Sequence, residues 1–437
     1  MDATSKIPSD SPAGGGPMNS PDIHRLLWVR GLRAFGDGYV SLLLPLYLIT
    51  LGLTPFQVGV IATGTLLGSG VLTLLVGVHA YRFRYRTLLL MATALMTATG
   101  LGFAAFTEFW PLLMIAVVGT LNPSSGDVSI FLPLEQAVLT RMVTDRQRTA
   151  LFARYSLVGA LIGAVGALFA GFPELLTGAL NISAKSALQA MFALYGFLGL
   201  ASGLIYRKLP AALAVETDNA PAPLRQSKHI VYTLATLFSL DAFGGGFIVQ
   251  SMLALWLFEK FQLSMAVAGA IFFWTGVLSA FSYLVAVRIA NRIGLVNTMV
   301  FTHLPANLLL LAVPFVPDLT WVIVILLARS ALSQMDVPTR SSYVMAVVSP
   351  AERAAAASIT SVPRSLASSV SPLIAGYLLG ISSFGWPLLI AGGLKIVYDL
   401  LLLATFRSVR PPEESFSLAN ERSGNIGPKH RDGLRRD

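Results

Sequence analysis

The chain of 437 residues contains no cysteine and few charged side chains. Without cysteine it has no disulfide bonds, thiolate metal sites or cysteine nucleophiles. Charged residues make up 12% of the chain, whereas about 25% is typical of soluble domains. A water-soluble globule of this size needs a more highly charged surface. The composition therefore excludes soluble enzymes, soluble nucleic-acid-binding domains and secreted disulfide-rich proteins.

Sequence motifs that bind metals or nucleotides are also missing. The five histidines form no group with metal-ligand spacing, and no phosphate-binding Walker sequence is present. We therefore expect no metal, no cofactor and no direct use of ATP. No nucleophile and base fall on one predicted helix face, which argues against a membrane enzyme.

Hydrophobic residues are abundant and make up 54% of the chain. From about residue 26 onward, apolar runs follow one another, each long enough for a bilayer span of about 20 residues. They predict an all-α membrane protein with twelve transmembrane helices. The polar stretches between and around them predict five segments: a disordered cytoplasmic tail 1–25, a six-helix bundle 26–206, a cytoplasmic linker 207–229, a second six-helix bundle 230–407 and a disordered cytoplasmic tail 408–437.

The positions of lysine and arginine predict the orientation of the chain in the membrane. One set of loops is rich in these residues, as at Arg84, Arg86 and Arg141, whereas the opposite set holds only Lys185 and Lys260. The positive-inside rule then places both termini in the cytoplasm. The net charge of +9 is accounted for by this topology and by contact with anionic lipids, so no nucleic-acid partner is predicted. The frequent use of arginine and alanine favours a bacterial inner membrane.

The two halves of the chain repeat one another. Residues 34–36 and 242–244 both read Ala-Phe-Gly at an offset of 208, and Pro133 corresponds to Pro338 at an offset of 205. An ordered series of such matches, with a slowly changing offset, predicts two pseudo-symmetric six-helix bundles. Repeats of this kind are an architecture of transporters, whose substrates bind near the middle of the membrane.

The loop after the second span resembles the signature G-x-L-A-D-R-x-G-R-[RK] of the major facilitator superfamily. Residues 77–82 read Gly-Val-His-Ala-Tyr-Arg, with Tyr81 in place of the aspartate, and residues 290–292 of the second half read Ala-Asn-Arg. The resemblance covers about residues 26–407 and implies the superfamily's fold, alternating access and a small-molecule substrate. The residues that it implies for a conformational latch are Gly77, Arg82, Asn291 and Arg292.

A second stretch bears on the direction of transport. Residues 371–376, Ser-Pro-Leu-Ile-Ala-Gly, resemble an element associated with antiporters. Together with Asp37, this resemblance favours proton-coupled export of a small organic molecule, and we expect the protein to be a monomer. The alternative is proton-coupled uptake of a polar or anionic metabolite, because Arg329, Arg340 and Arg364 would make the second half of a cavity cationic. A sensor or scaffold that keeps the fold without transport is a further alternative, and the charges inside the spans argue against it.

Charged side chains inside the predicted spans are candidate functional residues, because a charge in a bilayer is costly unless it is paired or hydrated. Asp37, near the middle of the first span, is the predicted proton carrier, with simple pairing to Arg33 as the alternative. Lys395 and Asp399 are predicted to pair with each other, and His303 to be a satisfied helix residue. The predicted substrate and proton pathway comprises Arg33, Asp37, Asp127, Glu135, Asp241, Asp336, Arg340 and Arg364. The predicted cavity lining comprises Asn122, Ser124, Phe131, Arg329, Ser333, Ser361 and Ser368.

Turn-forming sequence lies inside two of the predicted spans. Residues 122–127 read Asn-Pro-Ser-Ser-Gly-Asp in the fourth span, and residues 333–338 read Ser-Gln-Met-Asp-Val-Pro in the tenth. Irregular backbone at this depth is tolerated only where it is buried in protein or lines a cavity. Interrupted helices at corresponding places in two halves point to a binding site. We therefore predict a break in each of these two helices.

Repeat-related positions inside the spans carry opposite charges. Glu135 corresponds to Arg340 at an offset of 205, and Arg33 corresponds to Asp241 at an offset of 208. One hypothesis is that each of these two pairs forms across the two halves and holds one state of the transport cycle. The alternative is that each charge pairs within its own helix or half.

Overall fold

The structure is a computed structural model, which describes residues 20–79, 83–124, 129–143, 145–210, 224–349 and 352–407. The predicted tails, apart from residues 20–25, and most of the predicted linker lie outside these ranges. The helices of the described residues are α1 (Pro21–Thr50), α2 (Pro55–His79), α3 (Tyr85–Ala105), α4 (Phe109–Val118), α5 (Phe131–Met142), α6 (Asp145–Phe169), α7 (Phe172–Leu180), α8 (Ala184–Tyr206), α9 (Lys228–Gly246), α10 (Gln250–Phe261), α11 (Met265–Ile293), α12 (Leu295–Ala312), α13 (Leu319–Ser333), α14 (Asp336–Val347), α15 (Arg353–Ile381) and α16 (Trp386–Phe406).

Ten helical segments in these ranges are long and apolar enough to cross a membrane. The two remaining spans of the predicted twelve are the fourth, which corresponds to α4 and α5 together, and the eleventh, which corresponds to α15. The first pair consists of short helices, and α15 has 29 residues but carries Arg364 and several serines. The predicted all-α membrane architecture is confirmed, and the helix order is consistent with twelve spans.

Several helices begin where a short polar side chain caps the first turn. Ser20, Ser183 and Asp318 precede α1, α8 and α13, and each accepts a hydrogen bond from a backbone N–H three residues later, at 3.1–3.3 Å. Such caps satisfy an N–H group that has no partner inside the helix. They fix the ends of the helices at positions that the sequence marks.

The helices form two compact units, and corresponding helices pack alike within each. Unit 1 comprises residues 1–54, 64–217 and 263–273; in its described part α1 packs against α6 and α8, and α3 packs against α8. In unit 2, which contains α9 and α12–α16, α9 packs against α15 and α16, and α12 packs against α16. Since α9, α15 and α16 are the repeat-related counterparts of α1, α6 and α8, the packing confirms the pseudo-symmetry that the repeat predicts.

Apolar side chains from four helices form the core of unit 2. Phe238, Met299, Tyr343 and Tyr398 come from α9, α12, α14 and α16, and all four are buried. Burial of this apolar surface holds the four helices together. The same apolar side chains also surround the polar side chains that these helices carry.

Glu352, in the loop before α15, anchors the start of α9. Its carboxylate accepts hydrogen bonds from the backbone N–H groups of Arg225, Gln226 and Ser227. These hydrogen bonds lower the pKa of the Glu352 carboxyl to about 2. Because the ionised form is the one that binds, this stabilisation is present above the ordinary glutamate pKa of about 4.3 and is lost as the pH falls through the lowered value.

Two repeat-related glycines mark close contacts between helices. A Cβ on Gly59 of α2 would lie 2.4 Å from the carbonyl oxygen of Pro372 in α15. A Cβ on Gly269 of α11 would lie 2.7 Å from the carbonyl oxygen of Ala167 in α6. Both distances are far below van der Waals contact, so only glycine permits these backbones to approach. The predicted antiporter-like element thus supplies backbone for a close helix contact.

We predict that Gly59→Ala destabilises the protein by about 1–3 kcal/mol, the usual cost of overpacking, because its methyl group would overlap a backbone carbonyl. Gly70→Ala in the same helix is the matched control, since a Cβ there meets nothing within 4 Å. Thermal unfolding of the purified protein should show a lower Tm for Gly59→Ala and an unchanged or higher Tm for Gly70→Ala. Equal Tm values for the two variants would contradict the close contact.

Candidate functional site

The predicted breaks in the fourth and tenth spans are confirmed. Between α4 and α5 the described residues 119–124, 129 and 130 are not helical, and Gln334 and Met335 separate α13 from α14. Pro133 and Pro338 each occupy the third position of the helix that follows the break. A proline there costs no hydrogen bond, because the first N–H groups of a helix have no partner within it.

The irregular backbone of the fourth span is held by side chains. The Asn122 Oδ1 atom accepts hydrogen bonds from the backbone N–H of Ser124 at 3.1 Å and from its hydroxyl at 2.7 Å. The N–H of Thr120 donates to the hydroxyl of Thr99 at 3.3 Å, and Tyr195 donates to the carbonyl of Thr120 at 3.1 Å. These contacts satisfy polar backbone away from water, as a membrane environment requires.

A fully buried carboxylate lies at the centre of unit 1. Glu135 of α5 is 0% exposed and accepts hydrogen bonds from Arg33 of α1, Tyr155 of α6 and Tyr206 of α8. The guanidinium carbon of Arg33 lies 4.1 Å from the centre of the Phe131 ring, one turn before Glu135. We call these five residues the unit 1 cluster. It pairs one cation with one anion and joins four helices.

Asp37 lies one turn beyond Arg33 on α1. It is buried, and the hydroxyl of Tyr195 on α8 lies 3.4 Å from its Oδ1 atom. Because Glu135 already neutralises Arg33, the countercharge of Arg33 does not have to come from Asp37. The predicted proton carrier has the phenol of Tyr195 beside it.

Unit 2 contains a larger polar network at the corresponding place. The Asp241 carboxylate of α9 lies 3.0 Å from Nη2 of Arg340 on α14 and 2.6 Å from Nζ of Lys395 on α16. Arg340 also pairs with Asp336, one turn earlier on α14. All four side chains are buried.

His303 of α12 extends this network. Its Nδ1 atom lies 2.9 Å from Oδ1 of Asp399 on α16, and its Nε2 atom lies 3.9 Å from Oδ1 of Asp241. Asn307, one turn later on α12, donates to Oδ2 of Asp399 at 2.9 Å. The unit 2 cluster, as we use the term, comprises Asp241, His303, Asn307, Asp336, Arg340, Lys395 and Asp399.

The charges of opposite sign at repeat-related positions pair within the units. Arg33 pairs with Glu135 in unit 1, and Arg340 pairs with Asp241 in unit 2. The hypothesis that these charges pair across the two halves is wrong for this structure. In each unit the ion pair joins the first helix to the second part of the interrupted span. The cation lies on the first helix in unit 1 and on the second part of the interrupted span in unit 2, and each pair is neutral.

The predicted pairing of Lys395 with Asp399 is also wrong. The two residues are one turn apart on α16, yet Lys395 binds Asp241 and Asp399 binds His303 and Asn307. Helical spacing shows that two side chains share a face. Which partner each one takes depends on the charges of the neighbouring helices.

Sequence reasoning leaves six members of the clusters out of the predicted site, namely Tyr155, Tyr206, His303, Asn307, Lys395 and Asp399. No spacing distinguishes the two tyrosines from tyrosines that pack in an apolar core. His303 and Asn307 are one turn apart in an apolar span, and this spacing is a signal that could have identified them. Among the described residues, no group of three or more histidine or acidic side chains is arranged to hold a metal ion.

Three predicted arginines of unit 2 have unused hydrogen-bonding capacity. The Nε and Nη1 atoms of Arg340 and the Nε atom of Arg329 are buried without a hydrogen-bond partner among the described residues. Arg364 of α15 is exposed, and the charge with which it interacts most strongly is that of Arg340. These N–H groups are therefore available to bind an anion.

The remaining predicted residues are distributed as follows. Ser361 and Ser368 donate to backbone carbonyls of their own helix, and Ser333 is buried at the end of α13. Of the latch residues, Gly77 lies in α2, Asn291 lies in α11 and Arg292 is exposed in the last turn of α11. Two predicted residues, Asp127 and Arg82, lie outside the described residues.

Comparison with known proteins bears on this arrangement of broken helices and buried charges. The sequence matches the Major Facilitator Superfamily over residues 26–329 and again over residues 234–433. The chain belongs to this superfamily. As a member of the Major Facilitator Superfamily, the protein is a multi-pass membrane transporter of small molecules and not an enzyme.

Solved structures share the superfamily fold. The nucleoside transporter NupG matches with a TM-score of 0.67 and 14% identity, over 89% of this chain and 99% of that one. A bacterial homolog of the human lysosomal transporter Spinster, inward-facing and occupied, matches with a TM-score of 0.70 and 15% identity, over 90% and 96%. The inward-open xylose transporter XylE from E. coli matches with a TM-score of 0.68 and 14% identity, over 91% and 99%. At these identities the likeness shows the fold.

A relative in sequence comes from the yeast Saccharomyces cerevisiae. It is described as an uncharacterized membrane protein and is 25% identical over 423 residues, which cover 88% of this superfamily member and 94% of the relative. The relative shares nearly the whole length of the chain and carries no assigned substrate.

We predict that Glu135→Gln destabilises unit 1 by about 3–5 kcal/mol, because it removes the carboxylate that is hydrogen-bonded to the buried guanidinium of Arg33. Glu108→Gln is the control, since Glu108 is exposed at the start of α4. The measurement is thermal unfolding of four variants. Three are the single changes Glu135→Gln, Glu108→Gln and Arg33→Gln, and the fourth is the double variant Arg33→Gln with Glu135→Gln. The double variant should lose clearly less stability than the sum of its single changes. Additive losses would mean that the two side chains do not pair.

Proposed function

We propose that the protein is a secondary active transporter that exports a small organic molecule in exchange for protons. The observation that carries the proposal is the burial of carboxylates beside groups able to exchange protons with them. Asp37 lies beside the hydroxyl of Tyr195, and Asp399 lies beside the ring of His303. A carboxyl group buried in a membrane protein gains or loses a proton as its surroundings open to water.

In the proposed cycle, the halves 26–206 and 230–407 alternate in opening the site to the two sides of the membrane. The broken spans offer polar backbone and side chains for the substrate, as in other transporters built from repeats. In exchange transport, binding of the substrate and binding of the proton exclude each other. The resemblance of residues 371–376 to an element of antiporters supports export.

The proposed orientation has both termini in the cytoplasm. Arg84, Arg141, Arg207 and Arg353 all adjoin helix ends on one side of the predicted topology, and the positive-inside rule assigns that side to the cytoplasm. Lys185 adjoins a helix end on the opposite side, near the start of α8.

The test uses proteoliposomes that contain the full chain and a pH-sensitive dye in the lumen. A panel of organic cations, carboxylates, organic phosphates and neutral analogues is added outside. Exchange predicts that a transported compound raises the luminal pH, because protons leave as the compound enters. We expect Asp37→Asn to reduce this pH change at least tenfold, since an amide cannot carry the proton. Asp22→Asn, in a surface pair on the same helix, should leave the response unchanged.

A transported compound that lowers the luminal pH would replace exchange by proton-coupled uptake. A pH response of wild-type size in Asp37→Asn would remove Asp37 from the proton pathway. Accumulation of radiolabelled compound without any pH change, together with persistence of transport after the proton gradient is collapsed, would contradict proton coupling altogether.

Uptake of an organic anion with protons is the second candidate function. The observation that favours it is the spare hydrogen-bonding capacity of Arg340 and Arg329, together with the exposed guanidinium of Arg364. Arginine presents several N–H donors in a geometry that matches carboxylates and phosphates. A monoanion bound here would be accompanied by protons if its uptake is to be driven against the membrane potential.

If the substrate is an anion, Arg364→Gln should raise its KM at least tenfold in the same vesicles, because a charged hydrogen-bond donor is lost. Arg288→Gln is the matched control, as Arg288 is an exposed arginine near the end of α11. Transport of neutral analogues should not respond to either change. An equal KM for the anion in both variants would exclude Arg364 from the substrate site.

A further inference from the structure

We propose that His303 and Asp399 form a proton-binding site of the transport cycle, with the imidazole ring held between two carboxylates. The proposal rests on the proton coupling proposed above and names a place where the proton is bound. Both side chains are buried, at 4% and 0% exposure, and they come from two helices of unit 2 that pack against each other.

The first ring nitrogen requires a proton in this geometry. Nδ1 of His303 and Oδ1 of Asp399 are 2.9 Å apart. Two lone pairs do not face each other at hydrogen-bonding distance, so one proton lies on this line, carried by the ring or by the carboxyl. Asn307 donates to the other carboxylate oxygen at 2.9 Å and so holds Asp399 in place.

The second ring nitrogen is the one that changes state in this proposal. Nε2 of His303 lies 3.9 Å from Oδ1 of Asp241. In the neutral ring with a proton on Nδ1, the Nε2 lone pair faces a carboxylate, which is unfavourable. Uptake of a proton from water forms an N–H bond at Nε2 and turns this contact into an attraction. Release returns the same proton to water, so no other reactant is needed.

Within the seven residues of the unit 2 cluster, the formal charges sum to zero when this proton is present. The cluster contains three carboxylates, those of Asp241, Asp336 and Asp399, and two permanent cations, Arg340 and Lys395. With a neutral imidazole its net charge is −1, and with an imidazolium it is zero. An uncompensated charge away from water is costly. Proton binding at His303 is therefore coupled to whether the site is open to water.

Other titratable groups on the helices around His303 contribute in a different way. Tyr398 of α16 lies edge-on to the imidazole at 6.0 Å, and its buried hydroxyl has no hydrogen-bond partner among the described residues. Tyr343 of α14 packs in the apolar core, and Arg329 lies on α13. Arg364 of α15 interacts with the charges of Arg340, Asp241 and Asp336. Among the described residues, the polar contacts of the ring are with Asp399, Asp241 and Asn307, whose Nδ2 atom lies 3.1 Å from Nδ1 of His303.

The first experiment measures proton binding without any substrate. The full chain, labelled with nitrogen-15 at histidine, is placed in lipid nanodiscs and titrated by NMR from pH 5 to pH 9. The His303 signal is assigned by its loss in His303→Gln. We expect this signal to titrate within the range, and Asp399→Asn to weaken the proton affinity of His303 at least tenfold. Asp22→Asn, in a surface ion pair of α1, should leave the midpoint unchanged.

A His303 signal that keeps one protonation state throughout, or an identical midpoint in wild type and Asp399→Asn, would overturn the proposal. If Asp399→Asn does not fold, Asn307→Leu serves in its place, because it removes a hydrogen bond to Asp399 and leaves every charge. An unchanged midpoint in that variant would also count against the site.

The second experiment separates this proposal from the proposed function. In vesicles, His303→Gln should lose at least tenfold of the pH change driven by the most active compound of the panel. Exchange of labelled for unlabelled compound, which needs no net proton movement, should persist. If wild type moves no protons, proton coupling is wrong, whatever the titration of His303 shows. If wild type and His303→Gln move protons equally, the His303 site alone is wrong.

Discussion

A buried pair of one cation and one carboxylate joins the first helix of each unit to the second part of its interrupted span. Arg33 with Glu135 makes this link in unit 1, and Asp241 with Arg340 makes it in unit 2. Removing one partner of such a pair typically costs about 3–5 kcal/mol, because the other charge is left without compensation. A helix that is broken in the membrane lacks the continuous backbone hydrogen bonding that would hold it rigid. The ion pair fixes the position of the second part, and with it the polar turn that precedes it.

The two units build on this shared pair in different ways. In unit 1, phenols from Tyr155 and Tyr206 complete the hydrogen bonding of Glu135, so the cluster is neutral and its carboxylate is fully satisfied. Within the unit 2 cluster three carboxylates face two permanent cations, and Arg340 has N–H donors without a hydrogen-bond partner among the described residues. The first arrangement suits a fixed structural link. The second suits a site whose charge changes when a proton or an anion arrives.

Much of the architecture could be predicted from the sequence, whereas most side-chain partners could not. The apolar runs predicted the helices, and the turn residues with Pro133 and Pro338 predicted both breaks, because backbone conformation depends mainly on local chemistry. The opposite charges at positions 33, 135, 241 and 340 were identified correctly, but their pairing was not. The same reversal of sign is compatible with pairs across the halves and with pairs inside each half, so the pattern alone cannot decide between them.

The sequence by itself determined that this chain crosses the membrane many times, repeats itself and carries charges at a few depths within its helices. Those properties follow from composition and spacing, which every helix shows without reference to its neighbours. Only the tertiary structure decided that Asp399 binds His303 rather than Lys395. It also decided that Glu135 accepts hydrogen bonds from Arg33, Tyr155 and Tyr206. The physical reason is that a buried charge is neutralised by whichever partner lies within a few ångströms. That distance is set by the packing of helices remote from one another in the chain.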